Sequence, residues 1–286
     1  MKRFHTIDEM ISLLRERGLY IEDEASARRT LLNDNYYRLS GFFRQLQRDH
    51  RGGDPRFIEG STFDQVVRLH RCDRQFARLC GDALADIECA LRSRFAYFSA
   101  QASGGAAFYL QPTYYYESMP DRSVHVDRVQ DELARSKSAM VAHYRSTDGD
   151  VTGVPIWVAV EVLPFGSISR MIEYSADPTA SRETAHSVSH QWESFASTVH
   201  SLAVFRNRCA HHGQIWHRPL DVHTPRKRSD LKHAPDHHPQ GPYPAILAMK
   251  RLSKAIGAPD HPYEQIDRLL ETDAEYAAGI LKPQPK

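Results

Sequence analysis

Arg206, Asn207 and His211 are the residues whose types and spacing best suit chemistry, in the stretch Phe205-Arg206-Asn207-Arg208-Cys209-Ala210-His211-His212-Gly213. Asn207 and His211 stand four positions apart and share one face of a helix. A histidine at a helix C-terminus sits where the dipole favours its cationic form, so it could exchange protons as a general acid or base. An arginine steadies negative charge that gathers on a phosphate. These parts suit cleavage of RNA: a ribose 2′-hydroxyl loses its proton and attacks the adjacent phosphorus, while a second proton reaches the leaving 5′-oxygen. Such a reaction requires no metal or other cofactor. One histidine does not easily serve both ends of it, so a second copy across a two-fold axis is an attractive way to complete the site. On a straight helix Arg206 and His211 point about 140° apart, and they meet at one ligand only if the helix end bends or the arginine reaches around.

The element that must carry them reads as a long helix. Val188, Trp192, Phe195, Val199, Leu202 and Ala210 recur at three- and four-residue steps and form one apolar stripe. Arg206 falls within that stripe, where the pattern asks for a core residue. A buried guanidinium stays charged and needs a partner or a ligand. Two carboxylates are candidates: Glu88, close to the apolar side of an earlier helix, and Glu161, the one charge in an apolar run, which would fix Arg206 or bridge helices. A structural ion pair is therefore the alternative to catalysis for Arg206, and both roles can hold together. For His211 the alternative is a C-capping histidine; His212 offers a second spacing from Arg206. Arg208 reads as a phosphate contact or a surface residue.

The other elements follow in order. Thr6-Ile7-Asp8-Glu9 has capping-box spacing and Gly18 supplies a stop, so a helix lies between them. A second short helix covers Glu24 to Leu32. Asn35-Tyr36-Tyr37-Arg38-Leu39-Ser40-Gly41-Phe42-Phe43-Arg44 interleaves aromatics with arginines; Tyr36, Tyr37, Arg38 and Arg44 could hold single-stranded RNA, or the stretch could simply close a small core. Arg48 to Glu59, with Arg51-Gly52-Gly53, is a polar connection. Thr62 then caps the longest helix, whose apolar positions run from Phe63 to Phe98 and whose basic flank holds Arg68, Arg71, Arg74 and Arg78. Ser103-Gly104-Gly105 ends it. A weaker helix, Val126 to Tyr144, turns Val129, Leu133, Met140 and Tyr144 inward. Pro155 starts an apolar helix over Ile156 to Leu163, Pro164 breaks it, and Ser167 caps the next. From Gly213 to Pro244 the chain is rich in proline and histidine and runs as an extended surface segment. Ala245 to Ile256 and Tyr263 to Leu281 give two closing helices. No repeat or strand-period stretch supports a sheet.

Composition narrows the class. Of the 286 residues 41% are hydrophobic, yet every apolar run is soon interrupted by charge or proline, so no segment could span a bilayer. Met1-Lys2-Arg3-Phe4 does not open a signal peptide, and a cytoplasmic location is the default. Cys72, Cys80, Cys89 and Cys209 form no C-x-x-C pair and read as reduced. A formal net charge of +1 leaves any nucleic-acid reading to a local site. His217, His223, His233, His237 and His238 lack metal-ligand spacing and read as a solvated loop.

Arg206-Asn207-x-x-x-His211 matches the R-N-x-x-x-H form of the HEPN ribonuclease signature, and the residues from Phe205 to Trp216 resemble the bacterial abortive-infection proteins of the AbiD/AbiF type. Asn35 to Phe42, and Pro155-Ile156-Trp157-Val158-Ala159-Val160-Glu161-Val162-Leu163-Pro164-Phe165-Gly166-Ser167-Ile168-Ser169, are similar to the same family in the same order, and the helix around Asp86-Ile87-Glu88 resembles it too. The resemblance implies an all-α HEPN bundle, with a small N-terminal helical module over 1–60, a ribonuclease core over 61–220 and a Pro/His-rich segment with C-terminal helices over 221–286. It implies a metal-independent endoribonuclease working as a homodimer in growth arrest during phage infection, restrained in relatives by a small RNA. Arg206 and His211 are then the catalytic pair, supported by Asn207. The competing function is a non-catalytic helical RNA-binding or regulatory protein that keeps the site as a ligand pocket.

Overall fold

The computed structural model of the chain describes residues 4–49, 53–103 and 107–284. His50, Arg51 and Gly52 of the polar connection, and Gly104-Gly105 after the long helix, lie outside the described residues, as does the extreme N-terminus. Among the described residues the structure is all-α, with only isolated bridges outside its helices.

Helix α1 (Ile7–Glu16) opens on the capping box: Thr6 Oγ1 accepts the Glu9 N–H at 3.2 Å and the Glu9 carboxylate accepts the Thr6 N–H at 2.8 Å. Gly18, at φ +89°, lets the chain turn away. Helix α2 (Glu24–Asp34) meets α3 (Tyr36–Gln45) at Asn35, whose φ of +62° breaks the helix while its amide oxygen accepts the Tyr37 N–H at 2.9 Å. Helix α4 (Phe63–Ser103) starts where Thr62 Oγ1 accepts the Gln65 N–H at 3.0 Å. Its apolar stripe is buried from Phe63 to Phe95, with Val67 and Phe98 half-buried at its edge.

The remaining helices are α5 (Arg122–Arg135), α6 (Ala139–Tyr144), α7 (Ile156–Val162), α8 (Phe165–Tyr174), α9 (Thr179–Ser187), α10 (Trp192–Ala210), α11 (Arg228–Leu231), α12 (Tyr243–Ile256), α13 (His261–Thr272) and α14 (Ala274–Leu281). Helices α7, α9, α10, α12 and α13 pack along α4, and α8 packs on α10. One apolar cluster runs from Ile11 to Ile280, so residues before 60 and after 220 share the core of the segment between them. No helix among the described residues is long and apolar enough to cross a membrane.

Five local expectations change. The single helix over Val126 to Tyr144 is two: the chain turns extended at Ser136, and the Arg145 guanidinium takes the freed carbonyls of Leu133 at 2.6 Å and Ser136 at 2.9 Å. The break resets the helical phase, so Val141 is buried while Met140 and Tyr144 face outward. Ser167 is no cap: α8 begins at Phe165, directly after Pro164, and Ser167 is buried inside its first turn. Val188 does not belong to the stripe of α10. It closes α9 and is buried from the turn, where Ser189 has φ +51°, and Ala210 at the far end of the stripe is exposed. Helix α9 carries little periodic signal because its buried face is Ala180, Ser181, Thr184 and Ala185, small side chains that admit a close approach to α4.

The segment after Gly213 is not all surface, since Ile215, Trp216, Leu220 and Thr224 are buried and α11 forms within it. The last expected helix breaks at Asp273, whose carboxylate accepts the Tyr276 N–H at 2.9 Å and so caps α14.

Candidate active site at the end of α10

Helix α10 buries Phe195, Thr198, Val199, Leu202, Phe205 and Cys209, and Arg206 stands at the edge of this face. The Arg206 guanidinium forms an ion pair with Glu88, Nε standing 2.9 Å from Oε2. The buried partner is the carboxylate: the Glu88 side chain is 9% exposed, whereas that of Arg206 is 40% exposed. The expectation of a buried guanidinium is therefore corrected. Of its outer nitrogens, Nη1 donates to Asn207 Oδ1 at 3.4 Å. Glu88 also binds Arg92, one turn along α4, whose Nε reaches Glu88 Oε1 at 3.0 Å. Arg92 Nη1 in turn donates to the Leu163 carbonyl at 2.7 Å and to that of Val160, and the guanidinium sits 5.9 Å from the Phe165 ring centre. Glu88 thus joins α4, α10 and the α7–α8 junction through two arginines.

Glu161 is elsewhere. It lies on the exposed side of α7, lining a groove with Tyr97 and Trp157, while the cleft that holds Arg206 is lined by Glu88. The expectation that Glu161 fixes Arg206 is replaced by Glu88, because Glu161 is exposed on a groove whose α4 wall, from Ser93 to Gln101, lies beyond Glu88 along that helix.

His211 is the C-cap of α10, its N–H bonded to the Asn207 carbonyl at 2.9 Å. His212 then adopts φ +55° and Gly213 N–H returns to the Arg208 carbonyl at 2.8 Å. Asn207, His211 and His212 are all exposed. Two adjoining clefts open here. One, of about 440 Å³, is lined by Arg206, Glu88, Arg78 and His212; the other, of about 530 Å³, by Tyr37, Arg38, His70, His211, His212 and Arg218. Arg74, Ala77 and His212 border both, so Arg206 shares its cleft with His212 while His211 faces the neighbouring one.

The turn after His212 is held by a buried carboxylate. Asp73 Oδ2 accepts the Ile215 N–H at 3.0 Å, and Oδ1 accepts the Trp216 N–H and the Tyr276 hydroxyl, each at 2.9 Å. Burial pushes the Asp73 carboxyl up to about 6, against the pull of these three donors. From the N-terminal side Arg38 Nη1 donates to the His212 carbonyl at 2.8 Å, and the Phe42 ring stacks on Trp216 with centres 5.6 Å apart. Gly41 lets the two pieces approach, since a Cβ there would stand 1.8 Å from Gln214 Oε1. Helix α14 closes the other side, with Gly279 against the Trp216 indole.

Sequence reasoning missed Asp73 and Arg92. Asp73 lies between Leu69 and Phe76 on the apolar stripe, so the logic that singled out Arg206 applies to it equally. Arg92 follows Glu88 by four residues, the spacing of a helical ion pair.

The proposed RNA contacts divide. Tyr37 and Arg38 are exposed on the larger cleft. Tyr36 is half-buried, its ring 5.5 Å from Phe43. Arg44 lies close enough to Arg218 to repel it. Arg208 is already engaged, donating to the Pro219 carbonyl at 2.9 Å and Asp221 at 2.7 Å. On the basic flank of α4, Arg68 pairs with Asp273 and Glu275, while Arg74 and Arg78 border the clefts. Among the described residues no cluster of three or more His, Cys, Asp or Glu side chains is placed to hold a metal ion.

No curated protein and no solved structure matches the chain. A family of Abi-like proteins matches residues 29–217, a span that starts within α2 and takes in α3, the Glu88-bearing α4 and α10 with the turn that follows it. The chain belongs to the Abi-like protein family.

Proposed function

We propose that the protein is a metal-independent endoribonuclease of the HEPN type, acting as a toxin or effector in abortive-infection antiphage defence. The observation that carries this reading is the Arg206–Glu88 pair. A buried carboxylate pairs with Nε at 2.9 Å and leaves the guanidinium 40% exposed near histidines at a helix end. That geometry suits a phosphate whose charge grows during reaction. A histidine takes the 2′-hydroxyl proton, the 2′-oxygen bonds to phosphorus, the bond to the 5′-oxygen breaks and that oxygen is protonated. The products are a 2′,3′-cyclic phosphate and a free 5′-hydroxyl. Membership of the Abi-like family supports the defence role, and a small non-coding RNA that restrains the enzyme fits the same setting.

Purified protein should cleave single-stranded RNA in EDTA, and His211→Ala should remove that activity while the variant stays folded, since the side chain is exposed. His212→Ala distinguishes the two histidines, because His212 is the one that shares the Arg206 cleft. Undiminished cleavage by both histidine variants, or a strict requirement for added metal, would overturn the assignment.

A second reading has one observation in its favour: within a single copy Arg206 and His211 open into adjoining clefts. A non-catalytic RNA-binding or regulatory protein would keep them as a ligand pocket. In the ribonuclease reading the arrangement is completed by a homodimer. Mixing Arg206→Ala with His211→Ala subunits should then restore part of the activity, through centres that draw one intact residue from each chain; no recovery would mean self-contained sites.

A further inference from the structure

We propose that the larger cleft, between α3 and the end of α10, is a nucleotide subsite that holds one phosphate and one unstacked base. The inference rests on the RNA reading above, and extends it from the cleavage site to a separate recognition site.

The cleft is lined by three guanidinium groups, those of Arg38, Arg74 and Arg218, against the single carboxylate of Asp73. Arg218 is the clearest case. Its guanidinium makes no hydrogen bond or ion pair among the described residues, and burial, then the neighbouring Arg44 and Arg208, lower its pKa. The nearby carboxylate, Asp221, is already bonded to Arg208 at 2.7 Å. Arg38 donates to a neutral carbonyl, that of His212, and Arg74 stands 3.8 Å from Asp34 with its side chain 65% exposed. The acidic residue lining the cleft, Asp73, brings at most one negative charge and turns it toward three donors. Cations gathered in excess of counter-charge favour a bound anion, and planar guanidinium forks match a phosphate.

The same cleft offers a place for a base. Tyr37 is 68% exposed at its rim, and the Tyr36 ring meets it edge-on at 6.0 Å, which leaves a ring face open. Asn35, in the same wall, has its amide oxygen on the Tyr37 N–H and its amide NH2 to offer an acceptor on a base edge. The volume of about 530 Å³ is that of a small-ligand pocket. Because His211 and His212 border the cleft, a nucleotide held there would lead the strand to Arg206 across the shared wall.

The ligand chemistry is a nucleotide, and it could be supplied by an RNA chain or by a free mononucleotide. Titration of the full-length protein with 5′-AMP and with a fully 2′-O-methylated single-stranded 12-mer, which cannot be cleaved, separates the sources. Tyr37→Ala and Arg218→Gln should each weaken 12-mer binding by about 10- to 100-fold, with unchanged melting temperature. Tyr37→Phe should bind like the wild type, because stacking uses the ring and not the hydroxyl. Arg218→Gln should also flatten the salt dependence, as a lost phosphate contact does. If the wild type binds 5′-AMP through these residues but neither binds nor cleaves RNA, the subsite stands as a mononucleotide site and the ribonuclease reading fails. If the wild type cleaves RNA and both variants bind it unchanged, the subsite is overturned alone. Binding of neither ligand by the wild type overturns the subsite, and the ribonuclease reading falls with it only if single-stranded RNA is also left uncut.

Discussion

Arg206→Ala should yield a folded protein that cleaves RNA about 10²- to 10³-fold more slowly, whereas Glu88→Ala should lose both activity and stability. The difference follows from which member of the pair is buried. Removing Arg206 takes away a half-exposed side chain and leaves Glu88 still bonded to Arg92 at 3.0 Å. No buried charge is stranded, and the loss falls on the phosphate the guanidinium would steady. Removing Glu88 strands Arg92, whose side chain is 11% exposed, with two backbone carbonyls and an aromatic ring but no counter-charge. Breaking one side of a buried pair costs about 3–5 kcal/mol. Denaturant melts and single-turnover cleavage, measured on both variants, give the contrast; equal stability of the two would remove Glu88 from the account of how Arg206 is held.

Asp73→Ala should be the second large effect. It leaves the N–H groups of Ile215 and Trp216 and the Tyr276 hydroxyl without their acceptor in the interior. Unsatisfied buried groups cost about 1–3 kcal/mol each, so a loss of several kcal/mol in the melt is expected. The turn that presents His211 and His212 loosens with it, and cleavage should fall in the fraction that remains folded. The carboxyl also gives a pH signature. Its folded pKa of about 6 lies above the ordinary aspartate value of 3.8, so the folded state holds the proton more tightly. Stability from this group is fully present below about pH 4 and is lost as pH rises toward 6, by about 3 kcal/mol at 1.36 kcal/mol per unit. Asp73→Asn, which cannot ionise, should remove that slope; stability measured across the interval tests it.

Much of the frame is legible from local patterns, because local physics decides it. The capping box of Thr6 and Glu9, the stripe from Phe63 to Phe95 and the start of α7 after Pro155 depend on neighbours within a turn or two. Arg206 and Glu88 stand out as charges where apolar residues are due. Asp73 stands out in the same way, yet its partners are two backbone N–H groups and the Tyr276 hydroxyl, all more than a hundred residues away, and no pattern in the chain announces them. The Phe42–Trp216 stack and the Gly41–Gln214 approach are equally non-local. Helix α9 escapes because tight packing there uses small residues, which carry little hydrophobic periodicity. The displacement of Glu161 from Arg206 shows the limit of reading a lone charge as a partner: it marks the exposed edge of a short helix, and only the packing of α7 against α4 decides which way it points.

The central claim is that an arginine held by a buried carboxylate, with a histidine at the helix end, cleaves RNA through the 2′-hydroxyl without a metal. The measurement that reaches it most directly is end-group analysis of RNA cut by the wild-type protein in EDTA. The account predicts 2′,3′-cyclic phosphate and 5′-hydroxyl termini, and no cutting of the same strand when its 2′-hydroxyls are replaced by hydrogen. Products with 5′-phosphate and 3′-hydroxyl ends, or cutting of the deoxy strand, would contradict it.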